Sequence, residues 1–306
     1  MLNSPLNLCL NMWYNMIHLA YTNKMEAGNL DVKLMAIDMD GTLLNSRNEI
    51  SQRTKETIEK ASNAGVKIVL ATGRLLRSAI NYSEILGLRK PIIASNGAVM
   101  IDEDRNKLYE GSINMNIVEK VMDIGERNNI YYHFYDEDTF YSNVYIEEVI
   151  QFYENRDTKE ENRIKFNIFE EKQEIIENKD LNIYKFLFLD EDIYKLNLLR
   201  DELNNVDEIN VCSSWNNNIE VMGREVSKGT SLKNLCKELN ILPEEVITIG
   251  DNENDISMLN YAGMGVAMGN AEEEVKEIAD IITLDNDEDG VAEIIDKYVL
   301  KIGEDI

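Results

Sequence analysis

The chain has few cysteines, histidines and prolines, and each shortage argues against a kind of site or scaffold. Its three cysteines, Cys9, Cys212 and Cys236, are odd in number and irregular in spacing. They argue against a disulfide framework and favour a reducing compartment, so we expect a cytoplasmic protein. The two histidines, His18 and His133, leave little room for an imidazole metal site. Three prolines and 16 glycines in 306 residues argue against a long disordered linker.

Basic residues are also scarce. Lys and Arg number 31 against 57 Asp and Glu, which gives a formal net charge of −26 at pH 7. This charge repels phosphate backbones and predicts that nucleic acid is not a partner. An anionic substrate therefore needs local help from a metal ion, a lysine or the N-terminus of a helix. The 44% hydrophobic and 29% charged residues are typical of a soluble globular protein with one large or two medium domains.

Residues 1–32 form an N-terminal extension that fits the rest of the chain poorly. The stretch from Leu8 to Tyr21 is apolar but interrupted by polar residues, and no basic region precedes it. It is too short to span a bilayer, so we expect no membrane association. A degenerate targeting peptide, an additional amphipathic helix and an upstream start codon before a true start at Met25 all remain open. We favour the last.

The apolar run at residues 34–37 is typical of a strand buried on both faces. It ends at Asp38, Asp40 follows two residues later, and Gly41 and Thr42 turn the chain away. Two carboxylates at the end of a buried strand must be paired, hydrogen-bonded or bound to a metal. The alternative for this pair alone is an acidic turn without a function.

Strands and helices alternate on both sides of the middle of the chain, which is typical of a doubly wound parallel sheet of the α/β class. Residues 33–113 and 214–306 have this pattern, with strands predicted at 34–37, 66–71, 91–94, 246–249, 264–268 and 280–284, and helices at 52–64, 75–86, 253–262 and 290–300. Residues 114–213 differ, because aromatic-rich alternating stretches flank an acidic turn at 136–138 and predict a hairpin. We therefore predict an α+β domain, residues 114–213, inserted into the α/β core.

Polar side chains stand where four predicted strands end, and a lysine opens a nearby helix: Asp38 with Asp40, Thr72, Asn96, Asp251 with Asn254 and Asp255, and Lys228. Because the carboxyl ends of parallel strands face one crevice, we expect these groups to lie together. Carboxylates and a hydroxyl without histidine suit Mg²⁺. Mg²⁺ beside a lysine and helix N-termini is suited to phosphoryl transfer.

Four motifs in this order resemble those of the haloacid dehalogenase (HAD) superfamily phosphatases, and specifically of the Cof-type branch, subfamily IIB. The motifs are Asp38-Met39-Asp40-Gly41-Thr42-Leu43-Leu44, Ala71-Thr72-Gly73-Arg74, Ser227-Lys228-Gly229 and Gly250-Asp251-Asn252-Glu253-Asn254-Asp255. The similarity covers the chain from about Lys33 onward. It implies a Rossmann-like HAD core with an inserted α+β cap domain, and an Mg²⁺ cofactor.

The resemblance also implies a role for each matching residue. Asp38, Asp40, Thr72 and Lys228 would be catalytic, with Asp38 as the nucleophile and Asp40 as the general acid and base. Thr72, Gly73, Asn96, Lys228 and Asn254 would bind phosphate, and Asp38, Asp40 through its carbonyl, Asp251 and Asp255 would hold the metal. Each has a plainer alternative: an N-cap for Thr72, a surface lysine for Lys228, and first-turn helix residues for Asn254 and Asp255.

The insert would select the leaving group of the substrate. His133, Tyr135, Tyr141, Arg156 and Trp215 are the candidates by their chemistry, with core packing or a surface salt bridge as the alternative for each. The sequence thus predicts a phosphatase for a small phosphorylated metabolite, namely a sugar phosphate, a nucleotide or a phosphorylated cofactor, acting through an aspartyl phosphate. A phosphomutase of this fold and a non-catalytic phosphate-ligand-binding regulatory protein are the alternatives. We expect a monomer or a small homo-oligomer.

Overall fold

The computed structural model describes residues 31–302 except for 86, 88–89 and 155–163. The expectations for residues 1–30 and for Arg156 lie outside the described residues. Within the described part, none of the helices is both long and apolar enough to cross a membrane.

An eight-stranded sheet forms the core and confirms the predicted α/β class. Its spatial order is β14-β13-β12-β1-β2-β3-β4-β5. Neighbouring strands from β14 to β3 are parallel, whereas β4 is antiparallel to both β3 and β5. The strands are β1 (Leu34–Ile37), β2 (Lys67–Ala71), β3 (Ile92–Ala94), β4 (Val99–Ile101), β5 (Lys107–Glu110), β12 (Val246–Gly250), β13 (Met264–Ala267) and β14 (Ile281–Ile282).

Helices flank this sheet, as expected for a doubly wound fold. They are α1 (Gln52–Asn63), α2 (Leu76–Ile85), α7 (Lys228–Leu239), α8 (Ile256–Leu259), α9 (Glu273–Ile278) and α10 (Gly290–Tyr298), with the insert's helices numbered α3 to α6 between them. Side chains cap the N-termini of two of these helices. Ser51 accepts a hydrogen bond from the N–H of Thr54 at the start of α1, and Ser227 accepts one from the N–H of Thr230 at the start of α7. The second cap places Lys228 in the first turn of α7.

A six-stranded sheet forms the second unit, in the order β10-β11-β9-β6-β7-β8. Its strands are β6 (Tyr131–Tyr135), β7 (Thr139–Ser142), β8 (Lys165–Ile168), β9 (Lys185–Leu189), β10 (Ile209–Cys212) and β11 (Asn218–Gly223), and its helices are α3 (Met115–Arg127), α4 (Glu147–Glu154), α5 (Lys172–Ile176) and α6 (Ile193–Leu203). The predicted hairpin is present, because Phe134 pairs antiparallel with Tyr141. This unit has its own apolar core.

Several elements differ from the sequence expectation. β11 pairs antiparallel with β9 and β10, so the second sheet continues past Ser213, and we propose that the insert ends near Gly223. Asn218 and Glu220 alternate with Ile219 and Val221, yet the strand is buried along its whole length, so its polar residues do not mark a solvent-exposed face. The helix predicted at 253–262 is a 3₁₀ turn, Glu253–Asp255, followed by the short α8.

Candidate active site

The carboxyl ends of two neighbouring core strands bring the predicted acidic residues together. β1 lies between β2 and β12, so Asp38 after β1 faces Asp251 after β12. Asp38, Asp251 and Asp255 each have a carboxylate oxygen, and these oxygens all lie within 4.8 Å of one another. All three side chains are buried. An acidic turn without a function does not account for three buried carboxylates in one cluster.

Lys228 joins this cluster from the first turn of α7. Its Nζ lies 2.5 Å from Asp38 Oδ1 and 2.6 Å from Asp255 Oδ1, and the side chain is fully buried. Burial lowers the pKa of Lys228, but the charges of Asp255 and Asp38 more than offset this and raise it above its usual value. Lys228 is therefore a buried ammonium that bridges two carboxylates, and the surface-lysine alternative is wrong.

The charge of the cluster fits a divalent cation. When all groups are ionised, three carboxylates and one ammonium leave a charge of −2. Burial, opposed by Lys228, raises the pKa of Asp38 to about 7, and burial together with Asp38 and Asp255 raises the pKa of Asp251 well above its usual value. Burial therefore opposes ionisation of these carboxyl groups, and a cation among them would favour their charged form. Carboxylate oxygens are the ligands that hard divalent cations prefer, so the donor set could bind such a metal.

The three carboxylates differ in the hydrogen bonds that already hold their oxygens, and this decides which of them could bind a metal directly. Asp255 Oδ2 accepts from the backbone N–H groups of Asp251 at 2.9 Å and Asn252 at 3.1 Å, and its Oδ1 is held by Lys228. Asp251 Oδ1 accepts from the Thr42 hydroxyl at 2.8 Å. Asp251 Oδ2 also accepts, from Asn252 Nδ2 at 2.6 Å, so both carboxylates have two engaged oxygens. Asp255 is held by an ammonium and two main-chain N–H groups and positions its neighbours, whereas the partners of Asp251 are neutral side chains. Asp38 and Asp251 are therefore the better direct ligands.

Gly41 lets the chain pass close to Asp251. Its φ is +82°, and a Cβ at this position would lie 2.3 Å from Asp251 Oδ2. Both the backbone conformation and the close approach therefore require glycine. The turn after β1 is shaped around the carboxylate that follows β12.

Asp40 faces a different partner, Arg74. Arg74 Nε lies 2.7 Å from Asp40 Oδ2, and Arg74 Nη2 lies 2.6 Å from Asp40 Oδ1, so the two side chains form a bidentate ion pair. The guanidinium also lies 4.0 Å from the centre of the Tyr82 ring. Burial lowers the pKa of Arg74, but Asp40 more than offsets this effect, so the charge is retained. The sequence interpretation quoted Arg74 within a motif but gave it no role.

Thr72 follows β2, the strand beside β1, and Asn96 follows β3, the next strand of the sheet. Thr72 Oγ1 accepts from the N–H of Arg74 at 3.1 Å and so stabilises the turn after β2. It is not the N-cap of the following helix, because α2 begins only at Leu76. Ser95, Asn96 and Gly97 all have positive φ, at 49°, 54° and 98°, in a fully buried turn. Such a run of left-handed residues stores strain and is common at functional sites. It directs the Asn96 amide towards Asn254, whose Nδ2 lies 3.2 Å from Asn96 Oδ1.

Side chains from both sheets line the crevice in front of Asp38, which encloses a cavity of about 60 Å³. The core contributes, among others, Asp38, Asp40, Arg74 and Asn254; the insert contributes Tyr135, Phe152, Tyr153, Lys185, Leu187, Trp215 and Glu220. The sequence interpretation missed Lys185 and Glu220. A signal was present, because each is a single charge within an otherwise apolar strand, and a buried charge must have a partner.

The candidates in the insert have different positions. Tyr135 and Trp215 line the crevice, and Trp215 remains 39% exposed. His133 lies behind this wall, with Nε2 2.7 Å from the Tyr135 hydroxyl and its ring stacked on Phe140. Burial and the charge of Lys185 lower the pKa of His133 well below its usual value, so the ring is neutral. Tyr141 is 8% exposed, stacks on Phe134 and belongs to the insert's core.

The family of haloacid dehalogenase-like hydrolases matches residues 35–295, nearly the whole described chain. The chain belongs to this family. The Bacillus subtilis phosphatase YwpJ is 33% identical over 286 residues, covering 88% of this chain and 100% of the relative. The B. subtilis 5-amino-6-(5-phospho-D-ribitylamino)uracil phosphatase YcsE is 32% identical over 277 residues, covering 90% and 99%.

Solved structures agree with this assignment of the HAD-like chain. A solved HAD subclass IIB sugar phosphatase superposes with a TM-score of 0.75 at 26% identity, covering 87% of this chain and 99% of that one. These matches confirm three predictions: the Cof-type HAD family, the α/β core and a phosphoric monoester hydrolase.

Proposed function

We propose that this HAD-like protein is an Mg²⁺-dependent phosphatase that hydrolyses a small phosphorylated metabolite through an aspartyl phosphate. The observation that carries the proposal is the buried cluster of Asp38, Asp251 and Asp255 bridged by Lys228 at the ends of β1 and β12. Asp38, Asp251 and the carbonyl of Asp40 would hold the metal, which would neutralise phosphate charge when bound. Asp255 would position Lys228 and the Asp251 loop.

In the first half-reaction, an Asp38 oxygen attacks the phosphorus and the bond to the leaving oxygen breaks. Lys228 compensates the charge on Asp38, so that an anionic phosphate can approach a carboxylate nucleophile. Asp40 gives its proton to the leaving oxygen, which departs as an alcohol. Before this step the protonated Asp40 carboxyl is neutral and its ion pair with Arg74 is weakened; once the proton has left, the carboxylate pairs with Arg74 again.

In the second half-reaction, water attacks the aspartyl phosphate. Asp40, now a carboxylate, takes the proton of the attacking water, and Asp38 is released as a carboxylate. Thr72, Gly73, Asn96 and Asn254 are proposed to hold the phosphoryl oxygens. The support is their clustering: a Cβ on Gly73 would lie 2.9 Å from Asn96 Oδ1 and 3.6 Å from Asn254 Nδ2.

The mouth of the crevice favours a leaving group with a planar ring among the three substrate classes. Phe152 and Trp215 are 38% and 39% exposed, and their rings pack edge to face with centres 5.8 Å apart. Partly exposed aromatic rings beside a phosphate site offer a surface for stacking. The name of one relative, an aminouracil phosphatase, points to the same chemistry. A nucleotide or a ring-containing phosphorylated cofactor is therefore preferred over a simple sugar phosphate.

The deciding experiment measures phosphate release from a panel of phosphate esters with and without Mg²⁺, with the Asp38→Asn variant as the matched control. The proposal predicts Mg²⁺-dependent release by the wild type and none by the variant. Isomerised substrate without phosphate release would instead identify a phosphomutase. Binding without any conversion would identify a regulatory protein.

The remaining proposals follow from composition. The net charge of −26 opposes binding to nucleic acid and to anionic membrane surfaces. The unpatterned cysteines support a cytoplasmic location. We keep the proposal of a monomer or a small homo-oligomer, which sedimentation at several concentrations tests directly.

A further inference from the structure

The insert places a fully buried ion pair in the crevice. Lys185 on β9 and Glu220 on β11 are 3% and 2% exposed, and Lys185 Nζ lies 2.6 Å from Glu220 Oε1. Glu220 pairs across the sheet with Leu187, so Lys185 is its diagonal neighbour on the same face. Although burial raises the pKa of Glu220, the charge of Lys185 holds it below its usual value. Glu220 is therefore ionised, and it forms an ion pair with Lys185.

Each member of this pair also contacts the core next to the phosphate-binding residues. Lys185 Nζ donates to the carbonyl oxygen of Gly73 at 2.7 Å. Glu220 Oε2 accepts from Asn96 Nδ2 at 2.6 Å. Gly73 and Asn96 come from separate strand ends of the core, so the pair ties two loops of the phosphate site to one face of the insert.

The contact with Glu220 determines how the Asn96 amide is oriented. An ionised carboxylate only accepts hydrogen bonds, so Asn96 must turn its NH₂ group towards Glu220. Its Oδ1 then faces Asn254 and accepts from Asn254 Nδ2. The second N–H of the Asn254 amide can then donate to another group. A negative charge on the insert thus sets the orientation of two amides in the core.

The ion pair contributes orientation and no net charge, because its two charges cancel beside the phosphate site. Replacement of a buried ion pair by apolar residues of similar volume is often neutral for stability or stabilising. Stability alone therefore does not require a charged pair here. A charged pair is required instead to hold Gly73, Asn96 and Asn254 in their observed positions.

We propose that Lys185 and Glu220 are positioning residues that complete the phosphate-binding site when the insert is seated on the core. The inference rests on the proposed phosphatase function and deepens it. The insert then has a second task besides selecting the leaving group: it shapes the site for the phosphoryl group that every substrate shares. Substitution of the pair should impair even a substrate too small to reach the rest of the insert.

The test uses the double variant Lys185→Met/Glu220→Leu, which removes both charges and leaves neither unpaired. The matched control is Tyr184→Phe. Tyr184 precedes Lys185, and its hydroxyl donates to Glu110 and accepts from Lys107 of the core outside the crevice, so this variant also loses two hydrogen bonds between insert and core. The measurements are kcat/KM for acetyl phosphate, the inhibition constant for orthovanadate with Mg²⁺ present, and the thermal midpoint.

We expect the double variant to keep a thermal midpoint close to that of the wild type. Its kcat/KM for acetyl phosphate should fall about ten- to a hundredfold, and its inhibition constant for orthovanadate should rise at least about tenfold, because small displacements at a reacting centre have effects of this size. Tyr184→Phe should change both values less than about twofold.

Two further results separate this inference from the proposed function. A double variant with wild-type kcat/KM and wild-type orthovanadate inhibition overturns the inference and leaves the phosphatase intact. Failure of the wild type itself to hydrolyse any phosphate ester overturns the function. If the double variant unfolds, Glu220→Gln is measured instead, because it keeps the shape and removes the charge that orients Asn96; unchanged orthovanadate inhibition in that variant likewise overturns the inference.

Discussion

At the scale of single residues, the two carboxylates of the first motif have different surroundings although only Met39 separates them. The Asp38 side chain is 7% exposed and bonded to the buried Lys228, whereas the Asp40 side chain is 27% exposed and bonded to Arg74. Carboxyl groups in different environments can perform different tasks in one reaction. The two carboxyl groups therefore have the different environments that separate roles require, and the proposed assignment of those roles is tested by the two variants that follow.

Replacement of Asp38 by Asn should abolish steady turnover and leave the fold intact. The amide keeps the shape of the side chain, cannot form the aspartyl phosphate and removes one buried negative charge. Phosphate release and the thermal midpoint are the measurements, with the exposed Asp207→Asn as a control that should retain activity. Sustained turnover by the Asp38 variant would contradict the covalent mechanism.

Replacement of Asp40 by Asn should affect substrates according to their leaving group. Alkyl phosphates need a proton on the departing oxygen and should lose about 10²- to 10⁴-fold in rate, the usual contribution of general acid catalysis. A nitrophenyl ester needs no such proton, so its aspartyl phosphate should still form, as a burst of nitrophenol would show. Equal losses in that first step for both kinds of ester would rule out Asp40 as the acid.

The acidic cluster also predicts how stability depends on pH. Folding raises the pKa of Asp38 from 3.8 to about 7 without metal, so the folded state binds the proton more tightly than the unfolded state. The metal-free protein should therefore lose stability as the pH rises from about 4 to about 7. Mg²⁺ at about 100 times its Kd should add about 2.7 kcal/mol.

The corresponding measurement is the thermal midpoint in EDTA and in Mg²⁺ between pH 5 and pH 8. The gain from Mg²⁺ should increase with pH, since the cation compensates charges that appear as Asp38 ionises. Asp38→Asn should flatten the metal-free pH dependence. A gain from Mg²⁺ that shrinks as the pH rises would show that the cation does not bind to this cluster.

At the scale of secondary-structure elements, the sequence was most informative where apolar runs end in polar residues. Such runs predicted β1, β2, β3 and β12 together with Asp38, Thr72, Asn96 and Asp251 after them, because a polar group at the end of a buried strand must find a partner. β4, β5, β8 and β11 were missed. β8 and β5 are partly exposed, so burial does not impose a pattern on them, and β11 carries Glu220 in a fully buried strand.

The contacts made by the insert could not be predicted for a related reason. Lys185 and Glu220 have their partners in Gly73 and Asn96, more than 100 residues away in the chain. Periodicity reports which face of a strand is buried, and it does not report what that face meets. His133 and Tyr141 illustrate the same limit of sequence patterns: their chemistry suggested ligand binding, but their packing places them outside the crevice.

The segment between β10 and β11 carries Trp215 at the mouth of the crevice, and its loss should affect substrates with rings. Trp215→Ala should lower kcat/KM for a nucleotide by about 1–3 kcal/mol in transition-state binding if one base stacks on it. Hydrolysis of acetyl phosphate should change little. Tyr194→Ala, an exposed aromatic residue elsewhere on the insert, is the matched control. Equal losses for both substrates would contradict a stacking role.

At the scale of the whole molecule, the net charge of −26 should slow the approach of phosphorylated substrates. Salt screens this repulsion, since the Debye length is about 10 Å at 0.1 M and about 30 Å at 0.01 M ionic strength. With Mg²⁺ saturating, kcat/KM should rise several-fold on addition of NaCl, and more for a multiply charged nucleotide than for acetyl phosphate. A decrease for the nucleotide would show that local positive charge dominates its capture.

The register of the core sheet has a consequence for how the protein folds during its synthesis. Leu34 lies beside Val246 in the parallel pair of β1 and β12, so the strand that carries Asp38 gains this neighbour only after most of the chain has been synthesised. The insert is complete earlier and has a core of its own, so it can fold while the rest is still being made. Until Lys228, Asp251 and Asp255 emerge, Asp38 has neither its ammonium partner nor its neighbouring carboxylates. A ribosome-bound chain therefore carries the nucleophile for most of its synthesis without the site that makes it reactive, and catalysis begins only with a nearly finished protein.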